Sequence, residues 1–108
     1  MIGYLEGELI KKYDRRCIIK CGPLGYRIFM TNSALSKIQE NGELVKVFTH
    51  PYQREDTQEL YGFLNPEELD IFEMLITVSG VGPRSAMAMV DEVPFEMLIA
   101  AITKGEEG

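Results

Sequence analysis

At Asn65–Pro66 the hydrophobic period of this chain changes. Before that point apolar residues alternate with polar ones over short runs, as strands require. After it they recur three and four positions apart, as helices require. A β-rich half must therefore join a helical half, which predicts an α+β fold with the two kinds of element segregated along the chain. At 108 residues there is room for one compact domain, or for a small domain with a helical appendage.

The first half reads as five strands and one helix. "YLEGELIKKY" is β-like, with Gly7 as a candidate bulge or bend. "RCIIKC" follows a turn at Asp14, and "CGPLG" makes another turn. "YRIFM" then alternates Tyr26, Ile28 and Met30 against Arg27 and Phe29. "NSALSKIQENG" predicts one short helix, from a capping residue, the Leu35–Ile38 spacing and a terminal Asn-Gly. Strands resume in "ELVKVFTH" and "TQELYGF", with "PYQRED" between them as a projecting loop or hairpin tip. Three strands, a helix and two strands is the order of the five-stranded Greek-key barrel called the OB-fold, expected here over residues 1–63. A small SH3-like barrel is the rival; the helix before the fourth strand favours the OB-fold.

Residues 64–108 read as helices. Asn65 suits an N-cap, Pro66 the first helical position and Glu68 the reciprocal capping position. Leu69, Phe72 and Ile76 form an apolar stripe flanked by Ile71, Leu75 and Val78. Gly80 is placed to stop this helix and Pro83 to start the next, "PRSAMAMV". "DEV" reads as a joint before a third helix, "PFEMLIAAITK". Helix, "SGVGP", helix is the form of a helix-hairpin-helix. Its glycines tolerate φ > 0 and close backbone approach, and the free N–H groups opening the second helix suit a phosphate. Val81 is expected to plug the space between the helices and Arg84 to reach a phosphate oxygen. Such contacts hold backbone and shape, and carry no base information. A plain αα-corner capped by glycine is the other reading.

Charge and cysteines narrow the classes. The net charge is −6, but residues 1–54 hold nine Lys/Arg against five Asp/Glu, and residues 55–108 two against twelve. A phosphate-facing surface therefore requires geometry that gathers the basic groups. Within one strand Cys17 and Cys21 would lie about 13 Å apart at roughly 3.3 Å per residue, too far for a disulfide. With the single His50 they make no convincing zinc set, so no metal and no cofactor are expected. His50 is expected to be structural. No apolar run approaches the roughly 20 residues of a membrane span, and the N-terminus lacks the pattern of a secretory signal, so the expected location is the cytoplasm.

Enzymatic activity is not expected. "GPLGYR" lacks the lysine of a phosphate-binding NTPase loop, and one histidine with no paired nucleophile leaves no triad. DNA glycosylases share the hairpin, but those forming a Schiff base need a lysine. Arg84 follows Pro83 here, and Asp91 lies too close behind the hairpin to match their aspartate.

Four blocks in order, "MIGYLEG", "GPLGYRIFM", "FTHPYQREDTQELYGF" and "LITVSGVGPRSAMAMV", resemble the N-terminal part of the RuvA family of bacterial Holliday junction proteins. The resemblance implies an OB-fold domain followed by a helix-hairpin-helix domain. It also implies a flat tetramer, or octamer, that holds four-way junction DNA open during recombination and repair. The family's hairpin falls on Gly80, Val81, Gly82, Pro83 and Arg84, and its acidic pin on Glu55 and Asp56, preceded by Arg54. The full complex includes the RuvB ATPase, which drives branch migration, and the RuvC resolvase. The family's second hairpin, linker and motor-binding domain are not expected within these 108 residues. RuvB docking is therefore expected to be lost and junction affinity weakened.

Two further classes remain. A generic single-strand binder would stack bases on Tyr4, Tyr13, Tyr26, Phe29, Phe48, Tyr52 or Tyr61. A protein-interaction module would use the acidic helices and bind no DNA.

Overall fold

The computed structural model describes residues 2–92 and Met97. Its elements are β1 (Tyr4–Tyr13), β2 (Arg16–Cys21), β3 (Leu24–Phe29), α1 (Asn32–Leu35), β4 (Leu44–Arg54), β5 (Thr57–Phe63), α2 (Pro66–Leu75) and α3 (Pro83–Glu92). The helix expected over "PFEMLIAAITK" lies, Met97 apart, outside the described residues.

The five strands close a barrel in the order β1-β2-β3-β5-β4, with β1 returning to pair with β4. This is the OB-fold order. β1 serves both neighbours, pairing with β4 over Tyr4–Glu8 and with β2 over Glu8–Tyr13. The register slips between Leu9 and Lys11, so the bulge falls at Ile10 and not at Gly7. Gly7 is required for another reason: a Cβ there would lie 2.5 Å from the Lys20 carbonyl oxygen and 2.6 Å from Ile19.

Alternation fills the barrel. Leu5, Leu9, Cys17, Ile19, Ile28 and Val47 point inward and are buried. Ala34, Leu35 and Ile38 join the same core from the α1 region. The helix expected over residues 32–42 is a single turn, capped by Thr31, whose Oγ1 accepts from Ala34 N–H at 3.0 Å. Serine accounts for its brevity. The Ser36 hydroxyl donates to the Ser33 carbonyl, a local bond that competes with helix continuation.

Of the two readings of "PYQRED", a loop or a hairpin tip, the hairpin tip is the one that forms. β4 runs on through Pro51 to Arg54 and pairs with β5 as far as Arg54↔Thr57, leaving only Glu55–Asp56 as the turn. β1 pairing ends at Phe48, so at Pro51 the missing N–H costs β4 no bond on that side. The β4–β5 pair is therefore a ribbon projecting past the barrel.

A second core joins the helices to β5. It comprises Tyr61 and Phe63 of β5, Ile71, Phe72 and Leu75 of α2, and Ala86 and Met87 of α3. α2 begins on the expected N-cap, with Asn65 Oδ1 accepting from Glu68 N–H at 2.9 Å. The return bond comes from the Asn65 side-chain amide, Nδ2 donating to Glu68 Oε1 at 2.8 Å, and not from the backbone N–H of a capping box. It ends at Leu75, well before Gly80, as Thr77 donates its hydroxyl to the Met74 carbonyl. α3 continues through Asp91–Glu92, which the sequence suggests as a joint; Asp91 Oδ1 accepts from Ser33 N–H at 3.3 Å.

Both cysteines are free. Burial pushes the Cys17 thiol up to about 12 from 9.0. Above pH 9 the unfolded thiol ionises while the folded one stays protonated, so the stability from this group is intact below pH 9 and falls as pH rises towards 12. Cys17 should accordingly react with iodoacetamide only as fast as the protein unfolds, with urea accelerating it. Gly7→Ala should lower stability by about 1–3 kcal/mol, read from the urea midpoint. Gly3→Ala, with nothing within 4 Å of the new Cβ, should leave that midpoint nearly unchanged.

Candidate nucleic-acid interface

The bend between α2 and α3 is built from backbone. Ile76, Thr77 and Val78 donate their N–H groups to the carbonyls of Phe72, Met74 and Leu75, which winds the chain out of the helix. Val81 N–H then donates to the Val78 carbonyl at 3.1 Å, closing a four-residue turn with Gly80 at φ +86°. A type II turn requires that sign of φ at its third residue, which accounts for the glycine. Val81 is half-buried and packs against the second core.

Gly82 has no such internal reason. Its φ is not positive, and nothing lies within 4 Å of where its Cβ would stand. It faces open space. The first helical bond of α3 runs from Ala86 N–H to the Gly82 carbonyl at 3.0 Å. Pro83 has no N–H, and among the described residues the amides of Gly82, Arg84 and Ser85 have no partner. Ser79, Gly80, Arg84 and Ser85 are exposed, so the mouth of the bend is open to solvent. Unpaired amides at the positive end of a ten-residue helix favour an anion.

Arg84 is not free in the way its sequence context suggests. Its NH2 donates to Glu59 Oε2 at 3.0 Å, and its guanidinium carbon sits 5.2 Å from the centre of the Phe29 ring. Glu59, its side chain only 13% exposed, also accepts the Tyr61 hydroxyl at 2.9 Å. Hydrogen bonding to Glu59 raises the already high pKa of Arg84, so the guanidinium stays charged. Burial, then Glu59, raises that of Tyr61. The Arg84 side chain remains 75% exposed. An ion pair with so exposed a partner is worth roughly 0–1 kcal/mol; its main effect is to aim the guanidinium.

The ribbon supplies the facing wall. Tyr52 pairs with Glu59 and Arg54 with Thr57 across β4 and β5. These four residues, with Gly82, Pro83, Arg84 and Ser85, line an open groove of about 400 Å³. Arg54 stacks on Tyr52, 5.2 Å from the ring centre. Glu55 and Asp56 form the exposed two-residue turn at the ribbon's tip and do not line the groove. The structure thus brings Arg54, Gly82, Pro83 and Arg84 together. Val81 packs behind them, Gly80 shapes the turn, and the two acids stand apart at the tip. Glu59 is the residue that sequence reasoning misses. Its only signal is alternation: Thr57, Glu59 and Tyr61 share the strand face turned from the barrel interior.

The remaining candidates have structural roles. His50 bridges to Glu73 of α2 at 2.8 Å and sets its ring edge against Phe72. Among the described residues no three His, Cys, Asp or Glu are placed to hold a metal ion. None of the described helices is long and apolar enough to cross a membrane.

Residues 1–62 match the family described as RuvA N terminal domain. The chain is 42% identical over 105 residues to the Holliday junction branch migration complex subunit RuvA of Ruminiclostridium cellulolyticum, covering 96% of this chain and 53% of that one. It is 45% identical over 104 residues to the Acetivibrio thermocellus protein of the same description, covering 95% and 52%. Its identity to the Escherichia coli protein so described is 37% over 108 residues, covering 100% and 53%. The chain spans about half the length of these curated relatives.

Removing Glu59 leaves a fully buried tyrosine hydroxyl without its acceptor. Glu59→Ala should therefore cost about 1–3 kcal/mol in urea unfolding, while adding Tyr61→Phe should cost little more. An unchanged midpoint in Glu59→Ala would contradict the contact.

Proposed function

The chain belongs to the RuvA family, and on that premise we propose that it is a non-catalytic DNA-binding unit that recognises four-way junctions by backbone and shape. The observation that carries this reading is the groove. Unpaired amides and two guanidiniums line it, beside a ribbon tipped with two carboxylates. In this reading a phosphodiester lies along the groove. Its oxygens accept from the amides of Gly82, Arg84 and Ser85, and its charge is met by Arg84 and Arg54. The absent Cβ of Gly82 lets the backbone come close.

The tip then repels a second phosphate strand. At physiological ionic strength that repulsion decays over about 8 Å, so Glu55 and Asp56 act only where DNA crosses directly over them. Copies arranged around a symmetric centre would concentrate the negative tips at the crossover and the grips on the arms. A tetramer is the arrangement we propose. One grip makes few phosphate contacts, and each contributes a slope of about −0.9 in log K against log salt. Single-copy binding is therefore weak, and multivalency supplies the rest. The energy of branch migration belongs to a partner ATPase, RuvB in the relatives' complex, acting on DNA held here. RuvC would resolve the same junction.

The single-strand reading is less well supported. Tyr61 is fully buried, Phe29 lies beneath Arg84, and Tyr52 beneath Arg54, so three of the aromatic faces are already occupied.

Binding of a four-way junction, a duplex and a single strand should be compared across a salt series. The junction should bind tightest. Gly82→Val, whose Cβ meets no atom within 4 Å, should weaken junction and duplex binding together by about tenfold, the loss of a contact or two at roughly 1.4 kcal/mol per decade. Glu55→Gln with Asp56→Asn should raise duplex affinity more than junction affinity. Preference for single strand, or a silent Gly82→Val, would reject the proposal.

A further inference from the structure

A second cleft, of about 220 Å³, opens between the barrel and α3. Arg84 lines both it and the hairpin groove, so the two adjoin at that side chain. The cleft's other cations are Arg15 and Arg16, at the tip of the β1–β2 hairpin. Its carboxylates are Asp14 and Asp91. Each is engaged with an amide: Asp14 Oδ1 accepts from Asn32 Nδ2 at 3.3 Å, and Asp91 Oδ1 from Ser33 N–H at 3.3 Å. Among the described residues neither Arg15 nor Arg16 is within ion-pair distance of a carboxylate.

Arg15 is also the described non-glycine residue with positive φ, at +59°. That conformation costs an L-residue of this type roughly 1–2 kcal/mol. It is held from two sides: Asn32 Oδ1 accepts Arg15 N–H at 3.1 Å, and Met30 N–H donates to the Arg15 carbonyl at 3.1 Å. Glycine would occupy the turn without strain. An arginine there, exposed and with its backbone clamped, costs stability while its side chain makes no described hydrogen bond or ion pair in return. Arg16 beside it stacks on Tyr13, 5.3 Å from the ring centre, which leaves the guanidinium's edge donors free.

We propose that Arg15 and Arg16 form a second phosphodiester-binding site, which extends the DNA track from the hairpin groove past Arg84 along the barrel–α3 cleft. The inference rests on the DNA-binding reading above. The ligand is the sugar–phosphate backbone of the arm already gripped by the hairpin, one or two phosphates further along. Contacts here position the arm and are blind to sequence.

Arg15→Gly separates the two roles a clamped arginine can have. It relieves the backbone strain, so the urea midpoint should hold or rise, yet it should weaken binding. Arg15→Gly with Arg16→Gln should make the slope of log K against log salt shallower by about 1–2, at about 0.9 per phosphate lost. Junction and duplex should weaken by the same factor, about tenfold at fixed salt. Arg27→Gln is the control. It removes an equal charge from a different groove, shared with Tyr26 and Pro51, and should leave the slope unchanged. Inorganic phosphate at matched ionic strength should not compete; competition at millimolar phosphate would identify a free-anion site and overturn the proposal. An unchanged slope in the double variant, or an equal change in Arg27→Gln, would also overturn it. If the unaltered protein binds no DNA at all, both readings fall; if it binds and only these variants are silent, this one falls alone.

Discussion

Tyr61 is the contact on which both halves of the molecule depend. The parallel closure of the barrel rests on a single pair, Phe29↔Tyr61. The same tyrosine stacks at 5.2 Å on Phe29 within the barrel and at 5.3 Å on Phe72 of α2. Its hydroxyl meets Glu59, which in turn holds Arg84. Aromatic pairs of this kind add about 0.5–1.5 kcal/mol each beyond the area they bury. One side chain thus seals a sheet, seats a helix pair and anchors the acid that orients a surface cation. The helices do not hang from the barrel on a tether; they share its last strand.

Much of this architecture is legible from local chemistry. The period change at Asn65, the reciprocal cap with Glu68 and the proline opening α3 each act within a few residues, so sequence reveals them. The barrel order follows from strand count and the position of one helix. What escapes is decided at a distance. Pro51 looks like a loop residue until β1 is seen to have ended at Phe48. Gly7 resembles a bulge residue until Lys20 is seen to crowd it. Eleven residues of helix are suggested where one turn forms, as the Ser36 hydroxyl bonds locally. The site divides the same way: its glycines and proline announce themselves, whereas Glu59 reaches Arg84 across twenty-five positions of chain that no motif spans.

Net charge is a poor guide to such a surface. Several of the acids behind the overall −6 serve the fold or the tip. Glu67 and Glu68 lie in the first turn of α2, favourable to its dipole, and Glu73 pairs with His50. Arg54, Arg84, Arg15 and Arg16 meanwhile line two adjoining grooves. Folding sorts the charges that composition averages.

The β4–β5 ribbon carries a constraint on how such molecules can vary. Side chains on a strand change faces at every step, so deleting one residue from either leg would turn Tyr52 and Arg54, or Thr57 and Glu59, to the opposite side. The cation would leave the groove while the acidic turn kept nearly the same height. Length can therefore drift only in matched, even increments on both legs, each moving the tip by about 7 Å at 3.4 Å per residue. The reach of the prong comes in coarse steps, a ratchet imposed by the pleat itself.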